Sequence, residues 1–178
     1  MHILPKMMFI LIGDDRTGKT TLQKLLIRKL HGADYIDGKL KTNLSFNIHH
    51  PEIKRKYKTV SFANRSYQEK IGDYESIENY FAKFFTDADI AFISSHLVHD
   101  DIEEMIRRGK NRFFNVYGVF FTNSIRPENA NSQISELNWD ERFVIENPWS
   151  DNDENTNLQL DRIAENFVDL IVNRTSIS

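Results

Sequence analysis

The chain has no cysteine, which excludes a disulfide scaffold, thiolate zinc or iron–sulfur centres and a cysteine nucleophile. Its four prolines stand singly, and no Pro- or Gly-rich linker, internal repeat or low-complexity tract divides it. Long hydrophobic runs are also missing. The longest clean one, Met7 to Ile12, is far too short to span a bilayer and lacks the processing signals of a secretory leader. Neither sign of charge dominates, since 23 basic side chains face 26 acidic ones, so a protein that grips nucleic acid mainly through counterion release is disfavoured. A soluble, cytoplasmic protein with no membrane partner is the expectation. Three Asn-x-Ser/Thr triplets, at Asn43, Asn64 and Asn173, read as chance in an Asn-rich chain without a leader.

What is present is the balance of an ordinary globular chain: 178 residues, 40% hydrophobic and 28% charged, enough for one domain with a sizeable core. That single domain covers residues 1–178, with a loose tail expected from about residue 174. Apolar runs of strand type alternate with helical spacing. Phe9 to Ile12 is a buried-strand run, and Leu22, Leu25, Leu26 and Leu30 mark a helix from Thr20 to His31-Gly32. Residues 57–63 alternate like a strand, and Ile77, Tyr80, Phe81, Phe84 and Phe85 fall on one helical face. Ile90 to Ile93 is a further strand. Asp100 and Glu103 form a capping box for a helix through Ile102, Met105 and Ile106. Strands at Val116 to Phe121 and Arg142 to Ile145 precede a closing helix with Leu160, Ile163, Phe167, Leu170 and Ile171 on one face. The pattern predicts an α/β fold: a three-layer doubly wound sheet of about five parallel strands with helices on both faces.

Gly13-Asp14-Asp15-Arg16-Thr17-Gly18-Lys19-Thr20 fits G-x-x-x-x-G-K-[ST], the phosphate-binding loop, and it follows an apolar strand and opens a helix as that motif requires. Glycines let successive N–H groups turn inward around a phosphate, and the following helix presents its positive end to the anion. Lys19 would contact the β- and γ-phosphates, and the Thr20 hydroxyl would ligate Mg²⁺. ATP or GTP is therefore the expected ligand, with Mg²⁺ as cofactor.

The longer stretch from Gly13 through Thr21 to Gln23 resembles the loop of thymidylate kinases, whose pattern is close to G-x-D-R-x-G-K-[ST]-T-Q. Phe62-Ala63-Asn64-Arg65-Ser66 followed by Ile71-Gly72 is similar to that family's F-P-x-R-[ST]…I-G segment, and the order of elements agrees along most of the chain. The resemblance implies a P-loop kinase fold and transfer of the ATP γ-phosphoryl group to a nucleoside monophosphate or similar small phosphorylated acceptor. It further implies that Arg16 stabilises the transferring group, that Asp15 contacts the acceptor's sugar hydroxyl and that Arg65 grips the acceptor phosphate; a homodimer is compatible with it. Bland alternatives stand beside these roles: a surface ion pair with Glu69 for Arg65, and loop solubility for Asp15 and Arg16. The chain departs from the family where an Asp-Arg pair follows the third strand. Here the stretch reads Ile93-Ser94-Ser95-His96, and only Arg126 stands where an arginine-rich lid would lie. A nucleotide-binding NTPase, switch or sensor without kinase activity is the alternative. For a guanine-nucleotide switch, neither D-x-x-G after residue 63 nor N-K-x-D at Thr122-Asn123-Ser124 is present.

Weaker signals have plain readings. The basic stretch Glu52 to Lys58 could steer an anion but reads better as a solvated edge. His96 or Asp100 could replace the missing acid, although Asp100 and Asp101 are already explained by a helix start. His49, His50, His96 and His99 lack zinc-ligand spacing. Asp151 to Asn155 reads as a turn feeding the last helix rather than a calcium loop. Trp149 is a candidate either for stacking on a base or for packing.

Overall fold

The computed structural model describes residues 5–124 and 128–176. In chain order the main elements are β1 (Lys6–Ile12), α1 (Lys19–Leu30), β2 (Asn43–Asn47), β3 (Thr59–Ala63), α2 (Ile71–Tyr74), α3 (Ile77–Asn79), β4 (Ile90–Ser95), α4 (His99–Asn111), β5 (Phe114–Phe121), α5 (Glu128–Ser135), β6 (Glu141–Ile145) and α6 (Asp153–Ser176). The strands form one sheet in the order β2-β3-β4-β1-β5-β6, with β2 antiparallel to β3 and every other pairing parallel. β1 is central because Met7 to Ile12 are all apolar and all buried, as a strand covered on both faces must be.

Alternation along β1 divides the core between two layers. Phe9 and Leu11 face α1 and α6, with Phe9 stacked between Phe92 and Tyr117 at 4.9 Å on either side and Phe62 continuing the stack beyond Phe92. Met8, Ile10 and Ile12 face α4 and the segment around Tyr67, Tyr74 and Phe81. The chain leaves β1 toward β3, returns to β4 and then crosses to β5, so the crevice beyond the carboxyl end of β1 lies where connections diverge. Among the described residues, no helix is long and apolar enough to cross a membrane.

Four local expectations are corrected. The sheet has six strands, because β2 adds an antiparallel edge. The single helical face from Ile77 to Phe85 is broken into α3 and a π turn over Tyr80–Phe84, and Phe84 is left exposed. Asp100 does not cap α4: the cap position is Val98, and Asp100 lies in the first turn beside His99 Nδ1 at 2.9 Å. The end is no loose tail up to Ser176, since Arg174 pairs with Glu141 on β6 and Thr175 is buried.

Candidate functional site

The loop after β1 is held at both ends by the sheet and the first helix. Gly13 N–H donates to the Ser95 carbonyl at the end of β4, and Gly18 carries the chain into α1 with φ +105°. A Cβ at Gly18 would come 2.8 Å from Asn147 Nδ2 and 3.1 Å from Leu160, so both conformation and space require glycine here. Inside the loop the Thr17 hydroxyl donates to the Asp14 carbonyl at 3.1 Å. The Thr17 carbonyl accepts the amides of Asn123, just after β5, at 3.2 Å and Asn147, just after β6, at 2.7 Å.

Lys19 folds back over this loop. Its Nζ donates to the carbonyls of Gly13 and of Asp14, the latter at 2.7 Å, and lies 3.5 Å from the Thr17 hydroxyl. Burial pushes its ammonium down from 10.5 to about 8, against the opposing pull of Asp15, Glu69 and Asp14. It lines a cavity of about 620 Å³ at the carboxyl end of the sheet. One wall carries Asn64, Arg65 and Glu69, which follow β3, and Asp15. The other carries Asn123, Asn147, Pro148 and Trp149 with Asp153, Thr156, Asn157 and Leu160 of α6.

Compared with known proteins, the chain matches no family model, no curated protein and no solved structure at a significant level.

Of the residues expected in the site, Asp15, Arg16, Thr17, Gly18, Lys19, Thr20, Thr21 and Arg65 all line the cavity. Gly13 and Asp14 do not, but supply the carbonyls that hold Lys19. Arg16 adopts a positive φ of 61°, a strained position for a side chain of its size. Arg65 makes the anticipated ion pair, Nη1 to Glu69 Oε1 at 3.0 Å, while remaining well exposed at the cavity wall. Burial raises the Glu69 carboxyl, but the Ser66 N–H and the Arg65 guanidinium outweigh it and hold that group below its ordinary range.

Trp149 is 67% exposed at the cavity wall, which excludes core packing as its role. The basic stretch before β3 lies at the amino end of that strand, whereas the loop lies at the carboxyl end of the parallel β1, so it does not face the cavity. His49 and His50 are remote from His96: the His49 ring lies tilted against that of His31 at 4.6 Å, and neither belongs to a metal-capable cluster among the described residues. The segment at 151–155 does feed α6, with the Asn152 side chain accepting the Glu154 N–H at 2.9 Å. Arg126 lies outside the described residues.

Asn64, Asn123 and Asn147 are cavity residues to which local motif reading gives no site role. Each stands shortly after the carboxyl end of a parallel strand, which is the signal that could have singled them out.

Proposed function

We propose that this chain is a P-loop protein that binds Mg²⁺ and ATP or GTP and moves the γ-phosphoryl group to a nucleoside monophosphate or similar small acceptor, as a thymidylate-kinase-like phosphotransferase. The supporting observation is the buried Lys19, folded onto the carbonyls of a Gly18-terminated loop and lining a cavity together with that loop and the start of α1. Main-chain N–H groups at that helix start favour an anion, and a phosphate would replace the loop carbonyls as the partner of Lys19. The triphosphate then lies across the loop, with its base toward Asn123 and Trp149 and its γ-phosphate toward Arg65. Arg16 at the rim would meet charge developing on the transferring group, Arg65 would hold the acceptor phosphate and Asp15 its sugar hydroxyl. Thr20 lines the cavity in the first turn of α1, and its hydroxyl suits it to hold Mg²⁺ together with the triphosphate. Mg²⁺ held there would neutralise phosphate charge.

One observation favours a second reading. β4 ends in Ser94 and Ser95, neither of which offers a carboxylate, and this supports a nucleotide-binding NTPase, switch or sensor without kinase activity. A coupled ADP-release assay with ATP and Mg²⁺, alone and with each nucleoside and nucleoside monophosphate, separates the two. Acceptor-stimulated release that disappears in Lys19→Ala is expected. Nucleotide binding without stimulation by any acceptor would select the second reading, and turnover retained in Lys19→Ala would remove both.

A further inference from the structure

Three side chains from separate parts of the chain converge beside Lys19: Asp15 from the loop, Glu69 from the turn after β3, and His96 immediately after β4. Each offers one ligand atom, and these atoms all lie within 4.8 Å of one another. His96 Nε2 is the informative atom. It is shielded from solvent and has no hydrogen-bond partner, although an Asp15 carboxylate oxygen stands 3.3 Å away. No hydrogen bond joins the two, and as a bare lone pair Nε2 faces two carboxylates that offer it no proton. A cation set among the three atoms satisfies all of them at once.

The neighbouring hydrogen bonds fix this arrangement. The His96 N–H donates to Gln68 Oε1 at 3.1 Å, and the Gln68 amide donates in turn to Asp101 at 2.8 Å and to the Ser95 hydroxyl at 3.2 Å. Gln68 and Glu69 are adjacent, so the same turn that positions the histidine backbone presents the carboxylate. Glu69 already accepts from the Ser66 N–H and from Arg65. A carboxylate has about four lone-pair sites, so Glu69 keeps acceptor capacity for a cation beside Arg65.

One imidazole nitrogen with two carboxylates is a mixed nitrogen and oxygen donor set, which Zn²⁺ and, more weakly, Mn²⁺ accept, whereas Mg²⁺ and Ca²⁺ favour all-oxygen shells. We propose that Asp15, Glu69 and His96 form a binding site for a divalent transition-metal ion of the Mn²⁺ or Zn²⁺ type, on the Arg65 side of the phosphate loop and separate from Thr20. The site requires no nucleotide.

The test is titration of the nucleotide-free full chain with Mn²⁺, reading unbound ion by electron paramagnetic resonance and nitrogen coordination by spin-echo modulation. A single bound Mn²⁺ with an imidazole-nitrogen signal is expected. Asp15→Asn, Glu69→Gln and His96→Gln should each weaken binding more than tenfold, and the nitrogen signal should vanish in His96→Gln, while Thr20→Ala changes neither. The wild-type nitrogen signal keeps the test decisive even where a variant fails to fold. No Mn²⁺ bound at millimolar concentration, no nitrogen signal in the wild type, or unchanged binding in folded His96→Gln would overturn the proposal. ATP titration of the same samples is scored separately, so loss of nucleotide binding with Mn²⁺ binding intact counts against the phosphotransferase reading alone.

Discussion

Asn147, on the segment leaving β6, donates its side-chain amide to the Thr17 carbonyl in the loop after β1 at 2.7 Å, across 130 positions of sequence. Gln159 on α6 donates to Asn147 Oδ1 and thereby fixes which way the amide points. The loop's shape is thus set by the last strand and the last helix as well as by its own glycines.

Replacing Asn147 tests that dependence. In Asn147→Ala the Thr17 carbonyl keeps its bond from Asn123 but Gln159 loses its acceptor, so two hydrogen bonds go, at about 1 kcal/mol each. For a chain of this size that lowers the melting temperature by roughly 4–8 °C. Asn147→Asp should be worse, because a carboxylate oxygen would face the carbonyl oxygen where a donor now stands. Thermal melts followed by ATP titration check both, and an Asp variant as stable as wild type would show that the amide does not hold the loop.

Two glycines separate backbone strain from steric fit. Gly18 and Gly32 have φ of +105° and +101°, but an added Cβ meets Asn147 Nδ2 at 2.8 Å in the first and nothing within 4 Å in the second. Gly32→Ala should therefore cost about 1 kcal/mol, the strain alone, and leave nucleotide binding intact. Gly18→Ala adds the displacement of Asn147 and Leu160, and should cost about 3 kcal/mol and abolish nucleotide binding. Equal denaturation midpoints for the two variants would count against the crowding.

The same contrast explains what was legible in the sequence. β1, the loop and α1 were readable because everything that defines them is contiguous: an apolar run, two glycines and leucines at helical spacing. β2 escaped because Asn43–Asn47 is a half-exposed edge of five residues whose alternation rests on only two apolar side chains, Leu44 and Phe46. The aromatic run after Ile77 keeps helical spacing, yet Tyr80 and Phe81 pack beneath the sheet while Phe84 is left out, so tertiary packing overrode the period. Arg65 and its Glu69 partner were within reach because they are one helical turn apart. Asn123, Asn147 and His96 meet the loop only through the strand order, which no local motif encodes.

Proton linkage follows from the burial of Lys19, whose pKa is pushed from 10.5 to about 8. Below pH 8 the group is charged in both folded and unfolded chains, and the full cost of burying the charge is present. As pH rises from 8 toward 10.5 the folded chain sheds this proton first, so the contribution of Lys19 to stability rises across that window. A bound triphosphate favours the ammonium, so above about pH 8 binding should take up a proton. Calorimetry at pH 9 in buffers of different ionisation enthalpy should show buffer-dependent heats in the wild type. Heats independent of buffer would mean that Lys19 is already fully charged in the empty loop.

In the proposed phosphotransferase, Arg65 marks the acceptor side of the cavity. Its ion pair with Glu69 is a largely exposed pair of neighbours one turn apart, so Arg65→Ala should change stability by no more than about 0.5 kcal/mol. If the guanidinium clamps an acceptor phosphate, its loss removes a charge-assisted bond of about 1.5–3 kcal/mol, roughly tenfold or more in acceptor KM, with ATP affinity unchanged. Arg65→Lys keeps the charge but not the planar fork, and should fall between the two. Lys19→Ala should act on the opposite side, weakening the triphosphate most. Steady-state KM for each ligand in the three variants decides the matter: equal losses for acceptor and ATP in a folded Arg65→Ala would place Arg65 outside the acceptor site, leaving the Glu69 pair as its whole role.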